Sequence, residues 1–339
     1  MPEITCILPG LFDLPLDELD SGFVENELPQ LNYLLSMMNP LSNTRYTIDA
    51  MIRDALGSPD ESGLPLATAQ GQGQREMNDP GRSILFQGVH LKADISSAVI
   101  LPIHHDAQFE SDIEQMVTDL GQMFKTDFDI SSLGGGLFLM ALKDFDVPKF
   151  YPHPLSVIGK TANPFIHQSR SILPWYQLNN EMQMYLHQHD INQRRLLDGA
   201  LPINSLWFWG AGEALSSLPQ KANWYCDDVT LNQFAEKLGM PVASIAAIDF
   251  IAKPQDSIII DLRLINALKA GVEQPLPALL QALESSLFAL LADAYRSRQH
   301  RIFLRSGFHL DFKTSAFARY QFWRPARDLN QWLVGDRFA

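Results

Sequence analysis

The sequence predicts an α/β fold: a mixed sheet with flanking helices and a more helical N-terminal appendage. Three observations carry this reading. After residue 178, apolar runs of strand length alternate with stretches whose apolar residues recur every three or four positions, as strands interleaved with helices do. The run Leu206-Trp207-Phe208-Trp209 is apolar on both faces, which suits an interior strand under helices. The front of the chain carries two helical stripes instead, first Leu28, Leu31, Leu34 and Leu35, then Ile48, Met51, Ile52 and Ala55.

In chain order, residues 5–11 read as a first strand running into the Pro9-Gly10 turn, and Asn39-Pro40 stops the helix over 28–38. Residues 69–81 are polar and turn-rich. They divide a mostly helical front, residues 1–82, from a main α/β body, residues 83–339, and read as a surface loop or a flap over a site. Within the body, 83–145 forms an α+β subdomain. Its parts are an alternating strand at 89–94, a strand at 97–101, a helix at 108–123 and two short strands at 128–130 and 136–142. Asp106 caps the helix, whose buried face is Phe109, Ile113, Met116, Val117 and Leu120. Gly134-Gly135-Gly136 joins the two short strands as a hairpin. Proline-rich connections over 144–154 and 160–174 then lead to a helix beginning at Leu178. Beyond the Trp-rich strand, strands are expected at 224–226, 244–250, 257–260, 301–305 and 308–312. Helices are expected at 231–238 and 276–295.

Composition narrows the function. The net charge of −13, from 26 basic and 39 acidic residues, disfavours duplex nucleic acid as a partner, because such binding gains from neutralising phosphates with Lys and Arg. Cys6 and Cys226 form no CxxC motif; two free thiols in a reducing compartment, or one disulfide, are the alternatives. No uninterrupted apolar run approaches about 20 residues, so no membrane-spanning helix is expected. The first residues lack the basic region of a secretory signal, and the expected location is the cytoplasm.

Two constellations carry candidate chemistry. In residues 178–213, a helix returns through a short link into the apolar strand, an arrangement that delivers side chains to an α/β cleft. Glu181, His187 and Asn192 approach from the helix and turn, Asn204 and Ser205 sit at the mouth of the strand, and the Gly210-Ala211-Gly212 loop can expose backbone N–H groups to an anion. Gly210 and Gly212 therefore join the candidate ligand-binding set. The rival reading is a buried hydrogen-bond network without a ligand. In the second constellation, His90, Lys92 and Asp94 project to one side of a strand, giving an acid-base group, a cation and a carboxylate; a half-exposed strand laced with ion pairs is the alternative.

Metal signals are weaker. His187 and His189 point about 200° apart on a helix, and the neighbours His104 and His105 point oppositely on a strand. Asp227-Asp228 can cap a helix or bind Mg²⁺. Asp261, at the end of an apolar strand, stands at a typical address for a side chain in an α/β crevice.

The stretches VHLKAD at 89–94, NEMQMYLHQHDINQRR at 180–195 and PINSLWFWGAG at 202–212 resemble a poorly characterised bacterial family. Its members are labelled either regulatory proteins or cofactor-independent phosphoglycerate mutase-like proteins. The resemblance extends from about residue 85 to 323 and implies that residues 204–212 belong to a shared structural site. True cofactor-independent phosphoglycerate mutases use a metal-bound serine nucleophile with Asp and His ligands around two divalent ions. This chain departs from that pattern: it has no early DGxG-type nucleophile region and no clear pair of DxxxH and DHG-like ligand motifs. The departures lead to an expected regulatory or ligand/protein-binding protein without established catalysis, its partner a small metabolite or a protein. The alternative is a divergent metal-dependent phosphohydrolase or phosphoglycerate mutase-like phosphoryl-transfer enzyme using a divalent metal. No other cofactor is expected, and the sequence carries no signal for an oligomeric state.

Overall fold

The computed structural model describes residues 1–15, 19, 21–42, 47–58, 63–70, 81–93, 97–212, 215, 222–250, 255–270, 275–307, 310–315 and 329–333. Most of the expected polar loop at 69–81, together with Asp94, Phe308 and His309, lies outside the described residues. Twelve strands are described: β1 (Glu3–Ile7), β2 (Met38–Ser42), β3 (Ser83–Ala93), β4 (Ala98–Leu101), β5 (Phe128–Gly134), β6 (Leu137–Leu142), β7 (Ser205–Trp209), β8 (Asn223–Cys226), β9 (Val242–Ala243), β10 (Ser257–Ile260), β11 (Arg301–Arg305) and β12 (Leu310–Thr314). They form two sheets with helices against them, a mixed α/β architecture as expected.

The larger sheet has seven strands in the order β2-β12-β11-β1-β10-β8-β9. β11, β1, β10, β8 and β9 run parallel, and β12 and β2 add antiparallel strands at one side. Parallel neighbours need a crossover, and helices supply it: Val229–Lys237 between β8 and β9, and Arg263–Ala270 and Leu276–Leu283 between β10 and β11. Such strands are covered on both faces, which is why Ser-Ile-Ile-Ile of β10 is wholly buried. The side chains divide by the period of two. Ile258 and Ile260 face a core shared with the smaller sheet, whereas Ile259 joins the opposite core with Leu31, Leu35 and Leu280. The front of the chain is rich in helix, yet it is stitched into this sheet, since β1 lies between β10 and β11.

The smaller sheet has the order β4-β3-β6-β5, with β7 also on β3. β3 organises it. Its long run pairs with β6 over 83–87, with β7 over 85–89 and with β4 over 90–93. Among the described residues, β7 is therefore hydrogen-bonded to one strand and not inserted between two. Its five residues are nonetheless all buried, beneath the helix Leu173–Gln188 and the turn Pro154–Ser156.

Local chemistry sets the ends of several elements as the sequence foretold. Asp106 accepts the Phe109 N–H (2.7 Å), which holds its carboxyl below the ordinary range. Asp228 accepts the Leu231 N–H (2.9 Å) at the head of Val229–Lys237. Residues 244–250 are a correction. The Ser244 side chain bonds Asp227 and accepts the Ala246 N–H, turning the chain into the short 3₁₀ helix Ile245–Ala247 where a strand was expected.

The stretch Leu276–Arg296 is helical, as expected for residues 276–295. By length and composition it could cross a membrane, but half of its apolar window is buried inside the protein. It contains a π turn, Glu284–Phe288. There the Glu284 carboxylate accepts the backbone N–H groups of Gln30 and Leu31, capping the helix Pro29–Met37, whose own N-cap Leu28 offers no side-chain acceptor. Burial raises the Glu284 pKa, and the two donors work against that rise.

Cys6 is in register with Ile259, and Cys226 with Ile260, so β10 separates them. Two strand spacings amount to about 9.5 Å, beyond disulfide reach. Both are free, buried thiols; burial raises both pKa values, that of Cys226 to about 12.

Candidate functional site

A cleft of about 230 Å³ opens between the two sheets. Asp228, just past β8, and Leu262 and Asn266, past β10, form its larger-sheet side. Gly88 of β3 and Trp209, the last residue of β7, form the other. The cleft thus lies at the carboxyl ends of parallel strands, where open α/β sheets place ligands.

His153 stands on the cleft wall in the segment Pro152-His153-Pro154. Its backbone N–H donates to Asp49 Oδ2 (2.6 Å), and Asp49 is itself buried. Its Nδ1 accepts the Leu155 N–H (3.3 Å), which fixes the neutral tautomer with the proton on Nε2. Burial lowers the His153 pKa, and the carboxylates of Asp49 and Asp228 partly offset that. The ring meets Trp209 edge to face, with centroids 6.0 Å apart.

The tryptophans differ in their partners. Trp207 donates its indole N–H to Pro152 O (3.0 Å), tying β7 to the segment that carries His153. Trp175 donates to the Tyr151 hydroxyl (3.2 Å). Trp209 is only 3% exposed, and its indole N–H has no hydrogen-bond partner among the described residues. On the rim, His105 stacks on Phe109 at 4.3 Å, and desolvation is the main cause of its lowered pKa.

The residues of the candidate ligand-binding set fall around this cleft, and none of those described lines it, whereas His105 and Asp228, which the sequence offered only as metal signals, do. Asn192 bonds Leu186 O, Ile203 O and Ile203 N with its side-chain amide. Asn204 makes a reciprocal pair with the backbone of Leu91, accepting its N–H (2.8 Å) and donating to its carbonyl (3.0 Å). Ser205 Oγ accepts from Gln183 Nε2 (3.0 Å), so the helix does reach the start of the strand, but through Gln183. Glu181 and His187 are exposed on that helix. His90 Nδ1 donates to Pro202 O (2.9 Å), Lys92 is exposed, and Asp94 lies outside the described residues.

The loop after β7 is a backbone crossing. Gly210 has φ +74° and accepts the Ala67 N–H (2.8 Å), while a Cβ on Gly212 would lie 1.8 Å from Gly63 O. Only glycine allows that approach.

Sequence reasoning passed over His153 because a Pro-His-Pro run reads as a connection. Its signal was the extended backbone that Pro154 favours in the residue before it, next to a Pro152 whose own φ is fixed.

The polar groups at the larger sheet's carboxyl edge do not fit a two-metal centre. Asp261 is fully buried, and both its oxygens are engaged by Arg263, Nε at 3.0 and 3.1 Å and Nη2 at 2.6 Å. Asp227 accepts from Ser244 Oγ and the Ile245 N–H. β11 ends in Arg305, which is paired with Asp311 and Asp54. Among the described residues, no three His, Cys, Asp or Glu side chains gather as metal ligands.

Fold and cleft define an α/β protein with a ligand-sized crevice at its strand ends. Comparison with known proteins sharpens this. No protein-family model matches the chain. It is 31% identical over 100 residues to the probable 2,3-bisphosphoglycerate-independent phosphoglycerate mutase of Geobacter sulfurreducens. That match covers 30% of this chain and spans about a fifth, 21%, of the relative's length. Among solved structures, the chain is similar to the PH0037 protein of Pyrococcus horikoshii, with 17% identity, a TM-score of 0.49 and coverage of 96% of this chain and 90% of that one. It is also similar to the cofactor-independent phosphoglycerate mutase of Thermoplasma acidophilum, with 16% identity, a TM-score of 0.36 and coverage of 92% and 89%. The resemblance to cofactor-independent phosphoglycerate mutases is thereby found in the sequence comparison as well. The expectation of a regulatory or binding protein without catalysis is corrected by it, because the matched relative is a probable mutase.

Proposed function

We propose that the protein is a phosphoryl-transfer enzyme of the phosphoglycerate mutase-like kind, acting on a small phosphorylated molecule in the cleft between the two sheets. The observation that carries this reading is the 100-residue match to a probable phosphoglycerate mutase. The cleft supports it by its place at the strand ends and by a neutral histidine whose Nε2–H is left to act on a ligand. Donors fixed in place before the substrate arrives need little reorganisation as charge develops on a transferred group. The described residues do not fit a metal pair, so no step is assigned to one.

The test is phosphoglycerate isomerisation, together with phosphate release from a panel of phosphate monoesters, by the purified chain. Each is run with added Mn²⁺, Mg²⁺ or Zn²⁺ and again with a chelator. Turnover that survives the chelator and falls at least about 100-fold in His153→Asn, the scale of a lost acid-base or donor group, is the expected result. Absence of turnover on every ester under all conditions would overturn the reading.

A further inference from the structure

We propose that Trp209, His153 and Asp228 form a binding site for a singly protonated phosphate group, two donors and one acceptor around a single ligand. The inference rests on reading the cleft as the substrate site, and it names what the site selects.

The two donors follow from the hydrogen bonds already made. The indole N–H of Trp209 is buried and has no partner among the described residues, while the side chain lines the cleft. A buried donor of this kind is costly unless a ligand acceptor completes it. His153 adds a second. Its Nδ1 lone pair is engaged by the Leu155 N–H, so its remaining ring position is an N–H. The two rings adjoin at 6.0 Å, and oxygens of one tetrahedral anion can accept from both.

Asp228 decides which anion. It lines the same cleft, and its charge acts on the His153 ring. One of its oxygens, Oδ1, caps the Leu231 N–H. A carboxylate facing a fully deprotonated anion repels it. Facing a P–OH group, the same carboxylate accepts a hydrogen bond. Near neutral pH a phosphate ester retains such a proton in part, since its second pKa is about 6. Sulfate does not. The site therefore selects phosphate over sulfate by the proton and not by size or charge.

Two lysines lie beyond the cleft wall at Ile158 and do not line the cleft. Lys269 lies three positions beyond Asn266 on the same helix face, and its Nζ would stand 3.5 Å from a Cβ on Gly159, next to Lys160. Asp13 acts on Lys160 with the opposite sign.

The full chain, labelled with ¹⁵N at tryptophan, gives one indole signal for each of six tryptophans, and Trp209→Phe identifies the relevant one. Inorganic phosphate should move the Trp209 signal downfield and leave the Trp207 signal in place, with sulfate at least roughly tenfold weaker, the scale of one hydrogen bond to a charged group. Asp228→Asn keeps the helix cap, because Asn caps as well as Asp. It should bring sulfate and phosphate to within about threefold of each other, an order-of-magnitude expectation from losing the one discriminating acceptor. Equal binding of the two anions by the unaltered chain, or no movement of the Trp209 signal, would overturn the proposal. The two readings separate cleanly. Phosphate binding at Trp209 without turnover of any ester sinks the enzymatic reading alone, and turnover without the Trp209 response sinks this one alone.

Discussion

The two ends of β7 differ in what folding leaves of their hydrogen-bonding groups. At its start, Asn204 and Ser205 are polar side chains whose hydrogen bonds are made within the protein, to Leu91 and Gln183. At its end, Trp209 is mostly apolar, and its one polar atom is buried without a partner among the described residues. One five-residue strand joins a closed network to a cleft. The difference teaches that a site is marked by hydrogen-bonding capacity left over after folding, not by the density of polar residues.

Substitutions along this strand test the contrast. The largest effect is expected just past its end. Gly212→Ala places a methyl 1.8 Å from Gly63 O, and the crossing must open. A loss of at least about 4 kcal/mol, at the exceptional end for single substitutions, should appear in urea melts. Near-wild-type stability would mean that the crossing is loose. Next is Trp207→Phe, which leaves the buried Pro152 carbonyl without its donor. About 2 kcal/mol of stability should go, while phosphate still shifts the Trp209 indole; loss of binding with unchanged melting would invert the roles assigned to the two tryptophans.

Asn204→Ala comes third, at about 1 kcal/mol, because Leu91 is only partly buried and water can replace the amide. Calorimetry should show the loss and anion titration should show none, since Asn204 does not line the cleft. A binding defect at full stability would return the site to the start of the strand.

The smallest effect concerns His300, which sharpens the rule. Both its ring nitrogens are buried without a partner among the described residues, yet it lines neither the cleft nor the pocket at the opposite end of the sheet. Burial is the main cause of its lowered pKa, with Asp256 acting against it. The unfolded chain therefore takes up this proton first as pH falls through about 6.5, and folded stability declines from there down to the lower folded pKa. His300→Phe, placed beside Phe250, should melt with a shallower decline between pH 7 and pH 5 than the unaltered chain; parallel profiles would show that His300 does not titrate with folding.

Much of the fold was legible because its signals are local. Asp106 and Asp228 cap the helices that their positions announce, and the continuous apolar runs of β7 and β10 mark strands buried on both faces. Strand order was not legible. Nothing near residues 3–7 says that their neighbours are residues 257–260 and 301–305, because that choice is made by packing across the whole chain. The site was half legible for the same reason. The stretch containing Trp209 stood out by composition, but whether its indole or that of Trp207 finds a carbonyl depends on where Pro152 lies. His153 was obscured by its own prolines, although those prolines hold it in place.

The position of β1 also has a meaning in time. Every strand of the smaller sheet lies between residues 83 and 209, so that sheet can close as soon as this stretch is available. β1 cannot follow suit: Ile4 must wait for Ser257 on one side and Ile302 on the other. At roughly 5–20 residues per second, synthesis from residue 7 to residue 305 takes on the order of 15–60 s. For most of that interval β1 has two unpaired edges, and then one until residues 301–305 are made; such edges invite pairing with the wrong chain. The smaller sheet is thus positioned to be the template, and the parallel sheet is completed against it by its earliest strand.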